Sequence, residues 1–241
     1  MADQIKQAIA NSPDDAQLYV ELGSVYEELS QVNEAIAEYR LALEKDPSHA
    51  EAAYKLGMVE RNIGNVGPST KLLKQAIRNG TEQKRVHFYL GEMLALQNDH
   101  KGATEAFAKA VETELSHAEA YFKLGTAYAA TGNHQDALLA FHKYSQINKR
   151  DARSHLQIGK AYAAMRLSKQ ALSSFVQSVK VDPKFAEGHI AIGELYEQEK
   201  LTIRAGKAFK EALRLEPDHP RAEELKELIR KYQPAHSGKT P

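Results

Sequence analysis

Residues 118–147 read AEAYFKLGTAYAATGNHQDALLAFHKYSQI, and the spacing of their apolar side chains decides the fold. Tyr121, Leu124, Gly125 and Tyr128 recur at helical intervals, the short stretch TGNHQ interrupts, and Ala137, Leu138, Phe141 and Tyr144 resume the same period. This is one amphipathic helix, a turn, and a second amphipathic helix. The unit recurs in both directions. Glycines stand at Gly23, Gly57, Gly91, Gly125, Gly159 and Gly193, always 34 residues apart, each preceded by leucine or isoleucine. Twelve residues beyond each comes a tiny residue (Ala35, Ser69, Ala103, Ala137, Ala171, Ala205). Four further on stands a large apolar one (Tyr39, Leu73, Phe107, Phe141, Phe175, Phe209). Four columns in register across six copies define a repeat array. One helix pair cannot bury both its faces, so neighbours must stack.

The repeats occupy residues 16–219, as 16–49, 50–83, 84–117, 118–151, 152–185 and 186–219. Residues 1–15 hold an N-terminal partial helix, of which 4–12 match the end of a second helix, with Ile5, Ala8 and Ile9 on its apolar columns. Residues 220–233 read as a polar closing helix, and 234–241 as a disordered tail. Ser48-x-x-Glu51 and Ser116-x-x-Glu119 have the capping-box spacing of helix starts. Pro13, Pro47, Pro183 and Pro217 follow second helices, where the chain must leave the helix. The expected fold is all-α: a right-handed α-solenoid of six 34-residue helix-turn-helix repeats plus flanking helices.

Composition narrows the function. Of 241 residues, 42% are hydrophobic and 27% charged, enough apolar material for a core. Lys+Arg and Asp+Glu both number 32, so the basic excess of a non-specific nucleic-acid binder is missing. There is no cysteine, which removes disulfides, thiolate zinc sites and thiol nucleophiles. The start, MADQIKQAIANSPDD, lacks a signal peptide's apolar run, and no stretch is apolar enough to span a membrane. A cytoplasmic protein is expected, or a periplasmic one if an export signal has been removed. No His pair has helical ligand spacing, although His87, His155 and His189 share a column. The glycine-lysine stretches at 64–71 and 238–240 lack phosphate-loop order. Neither a cofactor nor a metal is expected, and catalysis is not.

The columns resemble the tetratricopeptide repeat family, whose pattern is W/Y-x-x-L-G-x-x-Y, then A-x-x-x-F/Y-x-x-A, then P. Repeat four supplies Tyr121, Leu124, Gly125, Tyr128, Ala137 and Phe141. Repeat one supplies Tyr19, Leu22, Gly23, Tyr26, Ala35, Tyr39, Ala42 and Pro47. The resemblance implies first helices lining a concave groove that binds a protein or peptide. It also implies that the position three before each glycine, here Val20, Tyr54, Phe88, Phe122, Leu156 and Ile190, forms an apolar ladder along that groove. Each such side chain, if covered by a ligand, contributes up to ~1.5–3 kcal/mol. Most of that is lost to ordering, leaving an affinity near ~1 μM.

Along the same face, Lys55, Arg61, Arg85, Lys123, Arg153 and Lys160 make the centre basic, with Tyr89 among them. Glu21, Glu27 and Glu28 at one end, and Glu187, Glu194 and Glu197 at the other, make the ends acidic, though Glu51, Glu92 and Glu119 interrupt the middle. The expected ligand is therefore acidic at its centre and anchored by apolar groups. Some family members clamp the carboxylate terminus of heat-shock chaperones. The matching positions here are Val20, Ser24, Lys55, Arg85 and Tyr89, of which only Arg85 keeps the required charge, so that role is not expected. Two other roles compete with the adaptor. One is self-association, with segment 1–12 docking on a neighbour. The other is an accessory subunit of a secretion, pilus-assembly or peptide-signalling complex. Repeat two departs most from the pattern, with Glu60 in place of the usual aromatic, Ser69 of the alanine, Leu73 of the large aromatic and Thr81 of the proline, and with the connector Gly64-Asn65-Val66-Gly67-Pro68. It reads as drift or as a softened joint.

Overall fold

The computed structural model describes residues 1–114 and 116–232, and all fourteen of their regular elements are α-helices, with no strand among them. The chain divides into two compact units, Met1–Ala120 and the part from Tyr121 onward. The first unit holds α1 (Ala2–Asn11), α2 (Ala16–Glu28), α3 (Val32–Lys45), α4 (Ala50–Asn62), α5 (Val66–Arg78), α6 (Val86–Leu96) and α7 (His100–Thr113). α8 (Ala118–Ala130) straddles the division. The second unit continues with α9 (His134–Ile147), α10 (Ala152–Ala164), α11 (Ser168–Val181), α12 (Ala186–Gln198), α13 (Thr202–Leu215) and α14 (Ala222–Tyr232). The expected tail at 234–241 lies outside the described residues.

Helix starts follow side-chain chemistry. Asp15, Asp99 and Asp151 carboxylates accept backbone N–H groups of Gln17, Gly102 and Arg153 at 3.0, 2.9 and 2.9 Å, satisfying donors that the first turn leaves free. At α4 the expected Ser48 box does not form. His49 caps the helix instead, its Nδ1 accepting the Ala52 N–H at 3.2 Å, while Ser48 donates both its N–H and its hydroxyl to Asp46. The preceding carboxylate is the stronger acceptor and draws Ser48 away from the helix. The turn seven residues after each column glycine takes a left-handed residue every time: Ser30, Asn98, Arg166 and Lys200 at φ 59–60°, and Gly64 and Gly132 at φ 84° and 80°.

Except at Gly57, whose partner is Leu73, each column glycine lets an aromatic ring approach. A Cβ on Gly23, Gly91, Gly125 or Gly193 would stand 2.4–2.7 Å from the ring of Tyr39, Phe107, Phe141 or Phe209. In the first unit this packing builds a core of Val20, Tyr39, Leu56 and Val59 with small alanines between. The second unit has three clusters, around Phe141 and Ile158, around Phe175 and Leu195, and around Phe209, Leu225 and Ile229. Within each unit, helices pack on their chain neighbours or next-but-one neighbours. α1 sends Ile9 against the core of its own unit, so segment 1–12 is engaged within the chain.

Repeat two compensates its departures. Ser69 is buried and donates to the Gly57 carbonyl at 2.8 Å. Glu60, 3% exposed, pairs with Arg40 at 3.2 Å and accepts the Asn65 amide at 2.7 Å. Pro68 sits in the first turn of α5, where its missing N–H costs nothing.

Candidate functional site

The first helices carry the expected site, and their exposure corrects the expected ladder. Val20, Phe88, Leu156 and Ile190 are only 1%, 8%, 4% and 1% exposed, so they belong to the interior. The position three before glycine points between the two helices of a repeat, where the second-helix aromatic meets it. Phe88 lies 5.8 Å from Phe107 and 4.5 Å from the His117 ring. Only Tyr54 and Phe122 on this column keep partial access to solvent.

In the first unit the accessible surface is polar and aromatic. The Arg61 guanidinium lies 4.9 Å above the Tyr89 ring while its Nη2 donates to Glu92 at 2.7 Å. Stacking and a charge-assisted bond hold it flat. Half-buried Tyr54 lies on α4 with Arg61, its hydroxyl pKa raised chiefly by burial and further by Tyr89. Lys55 is half-buried beside it in sequence. Arg85 donates to both Glu114 carboxylate oxygens at 3.2 and 3.4 Å, which holds that carboxyl below its usual range. Glu27 accepts the Tyr39 hydroxyl at 2.7 Å, whereas Glu21 and Glu28 face solvent.

In the second unit half-buried Phe122 packs 5.7 Å from Phe141 and 5.0 Å from Tyr144, with the Arg153 guanidinium 5.3 Å over its ring. Arg153 grips Asp151 through Nε and Nη2 and donates to the Tyr144 hydroxyl at 3.0 Å, while Tyr144 donates to Asp151. Burial opposes ionisation of Asp151, but these donors outweigh it and its pKa falls. Lys123 is half-buried and Lys160 is exposed on α10.

In each unit the first-helix charge is therefore more neutralised than expected. Arg61, Arg85 and Arg153 each hold a carboxylate. The acidic end is engaged as well: Glu187 meets the buried His219 at 2.9 Å, Glu194 takes Arg221 at 2.6 Å, and Glu197 accepts the Tyr232 hydroxyl. No sequence spacing announces these pairs, because they arise when the closing helix docks. Among the histidines, His87, His155 and His189 are each half-buried with pKa lowered by burial, and His155 feels His142 rather than His189. No group of three metal-ligating side chains occurs among the described residues, and none of their helices is long and apolar enough to cross a membrane.

Known proteins resemble this arrangement. YrrB, a TPR protein described as having an unusual peptide-binding site, is 25% identical and superposes with a TM-score of 0.73 over 78% of this chain and 97% of its own. MamA is 26% identical with a TM-score of 0.64, over 73% of this chain and 96% of its own. The C-terminal part of a TPR repeat-containing protein from Cytophaga hutchinsonii shares the fold at 16% identity, with a TM-score of 0.70 over 93% and 92%. No curated protein matches in sequence. The tetratricopeptide repeat family model matches at residues 2–50, 20–67, 54–114, 103–151 and 156–235. With most of its length so matched, the chain belongs to the tetratricopeptide repeat family.

Proposed function

We propose that the chain is a scaffold that receives a protein or peptide segment on its first-helix face, with the chemistry left to its partners. The observation that carries this reading is the Arg61–Tyr89–Glu92 cluster on α4 and α6. An arginine fixed over a partly accessible tyrosine offers an amphipathic platform whose ordering cost is already met. Tyrosine and arginine of this kind dominate interface energetics. Tyr54, Lys55, Arg85 and Tyr89 are the contact residues in the first unit, and Phe122, Lys123, Arg153 and Lys160 in the second. Val20, Phe88, Leu156 and Ile190 support them from beneath. Likeness to YrrB, whose described feature is a peptide-binding site, favours a peptide-like ligand.

Selection of a displayed peptide library on the whole chain tests the reading. Peptides recovered on the native protein should lose about tenfold or more in affinity for a Tyr89→Ala/Lys55→Glu variant of unchanged helicity, a loss of ~1.4 kcal/mol or more. Equal affinity for both proteins removes this face as the site.

A further inference from the structure

A second surface lies on the second helices of the first unit. α5 contains no carboxylate, and its Lys71, Lys74 and Arg78 stand at i, i+3 and i+7, all exposed on one helical face. Among the described residues none of the three side chains has an ion pair, unlike Arg61, Arg85 and Arg153. Beside this stripe runs a furrow of about 600 Å³ between α5 and α7, with α6 as its floor. Lys74, half-buried Ile77 and Arg78 form one wall, α7 the other, and only the tips of the otherwise buried Leu90 and Leu94 reach the base. In the second unit the matching furrow over α10 is about 330 Å³, and Leu139, His142 and Gln146 of α9 stand where Lys71, Lys74 and Arg78 stand here. A basic wall is thus no general property of stacked second helices.

We infer that this furrow is a docking site for an amphipathic helical segment of a partner protein that carries carboxylates along one flank. Ile77 and the leucine tips at the base take a leucine-like side chain, and the partner's carboxylates meet Lys71, Lys74 and Arg78. A helix-in-groove mode of this sort takes affinity from the floor and register from the charges. A phosphate backbone suits the site less well. It is charged on every side, so Asp99 and Glu105 on the opposite wall repel it, whereas a helix with carboxylates on one flank turns them to α5 alone. The site is separate from the first-helix face and does not depend on it.

The test is selection of a displayed library of helical peptides of about 18 residues on the whole chain. Recovered peptides are then titrated against the native protein, Lys71→Glu/Lys74→Glu/Arg78→Glu, and Tyr89→Ala. The expected result is enrichment of acidic, leucine-bearing sequences. Their affinity falls about tenfold or more in the charge-reversed variant and is unchanged by Tyr89→Ala. It also weakens between about 50 and 300 mM salt, as partly exposed charge pairs do. Peptides with no charge preference, or equal binding to the charge-reversed variant, would overturn the inference. So would a stripe-dependent affinity for a short DNA duplex or for anionic vesicles in place of peptide, or stripe-dependent dimerisation of the chain. All three substituted side chains are exposed, so loss of folding does not confuse the outcome.

Discussion

A Cβ built on Gly159 would stand 2.4 Å from the Cδ1 and Cε1 atoms of Phe175. No real side-chain carbon sits so close, and Phe175 is buried, with little room to move. Gly159→Ala therefore sets an overpacking cost of about 1–3 kcal/mol against a helix-propensity gain near 1 kcal/mol. In repeat two, a Cβ on Gly57 meets Leu72 Cβ at 3.2 Å and Leu73 at 3.3 Å. We expect Gly159→Ala to lower the urea midpoint and Gly57→Ala to leave it level or raise it. Equal losses from both would contradict the role given to the aromatic.

The buried Glu60 carboxylate depends on Arg40 and Asn65. Arg40→Ala should cost about 1–3 kcal/mol, the penalty of a buried acceptor left short of donors. Glu60→Leu on that background should restore most of the loss, since repeat three already carries Leu94 on this column. A double variant no more stable than Arg40→Ala would show that the carboxylate itself is required.

Closure of the second unit rests on Leu225, which is fully buried against Ile190, Phe209 and Ala212. Leu225→Ala should destabilise that unit by about 2–5 kcal/mol. Because repeats couple mainly to their neighbours, hydrogen exchange should rise in α12 and α13 and stay unchanged in α2 to α5. A uniform rise along the chain would refute nearest-neighbour behaviour.

Four histidines share one sign of pH dependence. Burial lowers the pKa of His87, His117, His155 and His189, with Lys109, Arg85 and His142 adding to the effect at the first three. A depressed folded-state pKa means the unfolded chain takes up protons first. Their contribution is complete above the ordinary value near ~6.5 and is lost as pH falls from there through the folded-state values. His155→Phe and His189→Phe should each flatten the fall in unfolding midpoint between pH 7.5 and 5.5, roughly additively. An unchanged slope in both variants would remove these groups from the account.

The repeat was legible because Gly125 and Phe141, and their five counterparts, keep their spacing without a single insertion. Which side chains the stack would cover was less so. Val20 and Ile190 share a column with Tyr54, yet the first two are buried and the third is not, a difference set by neighbouring helices rather than by position in the motif. The acidic residues of repeat six read as a free end, but His219, Arg221 and Tyr232 come from beyond the last repeat to engage them. Ser48 was the expected cap of α4 because its box spacing is right, and Asp46 two residues earlier outbid it. Local pattern names the element, and long-range docking decides who is left at the surface.

Packing limited to chain neighbours and next-but-one neighbours has a kinetic consequence during synthesis. Among the described residues of each unit no helix must wait for one made much later, so loop-closure entropy stays low and folding is expected to be fast. Each pair meets its support within a few tens of residues of leaving the ribosome, and little apolar surface stands bare for chaperones or aggregates to find.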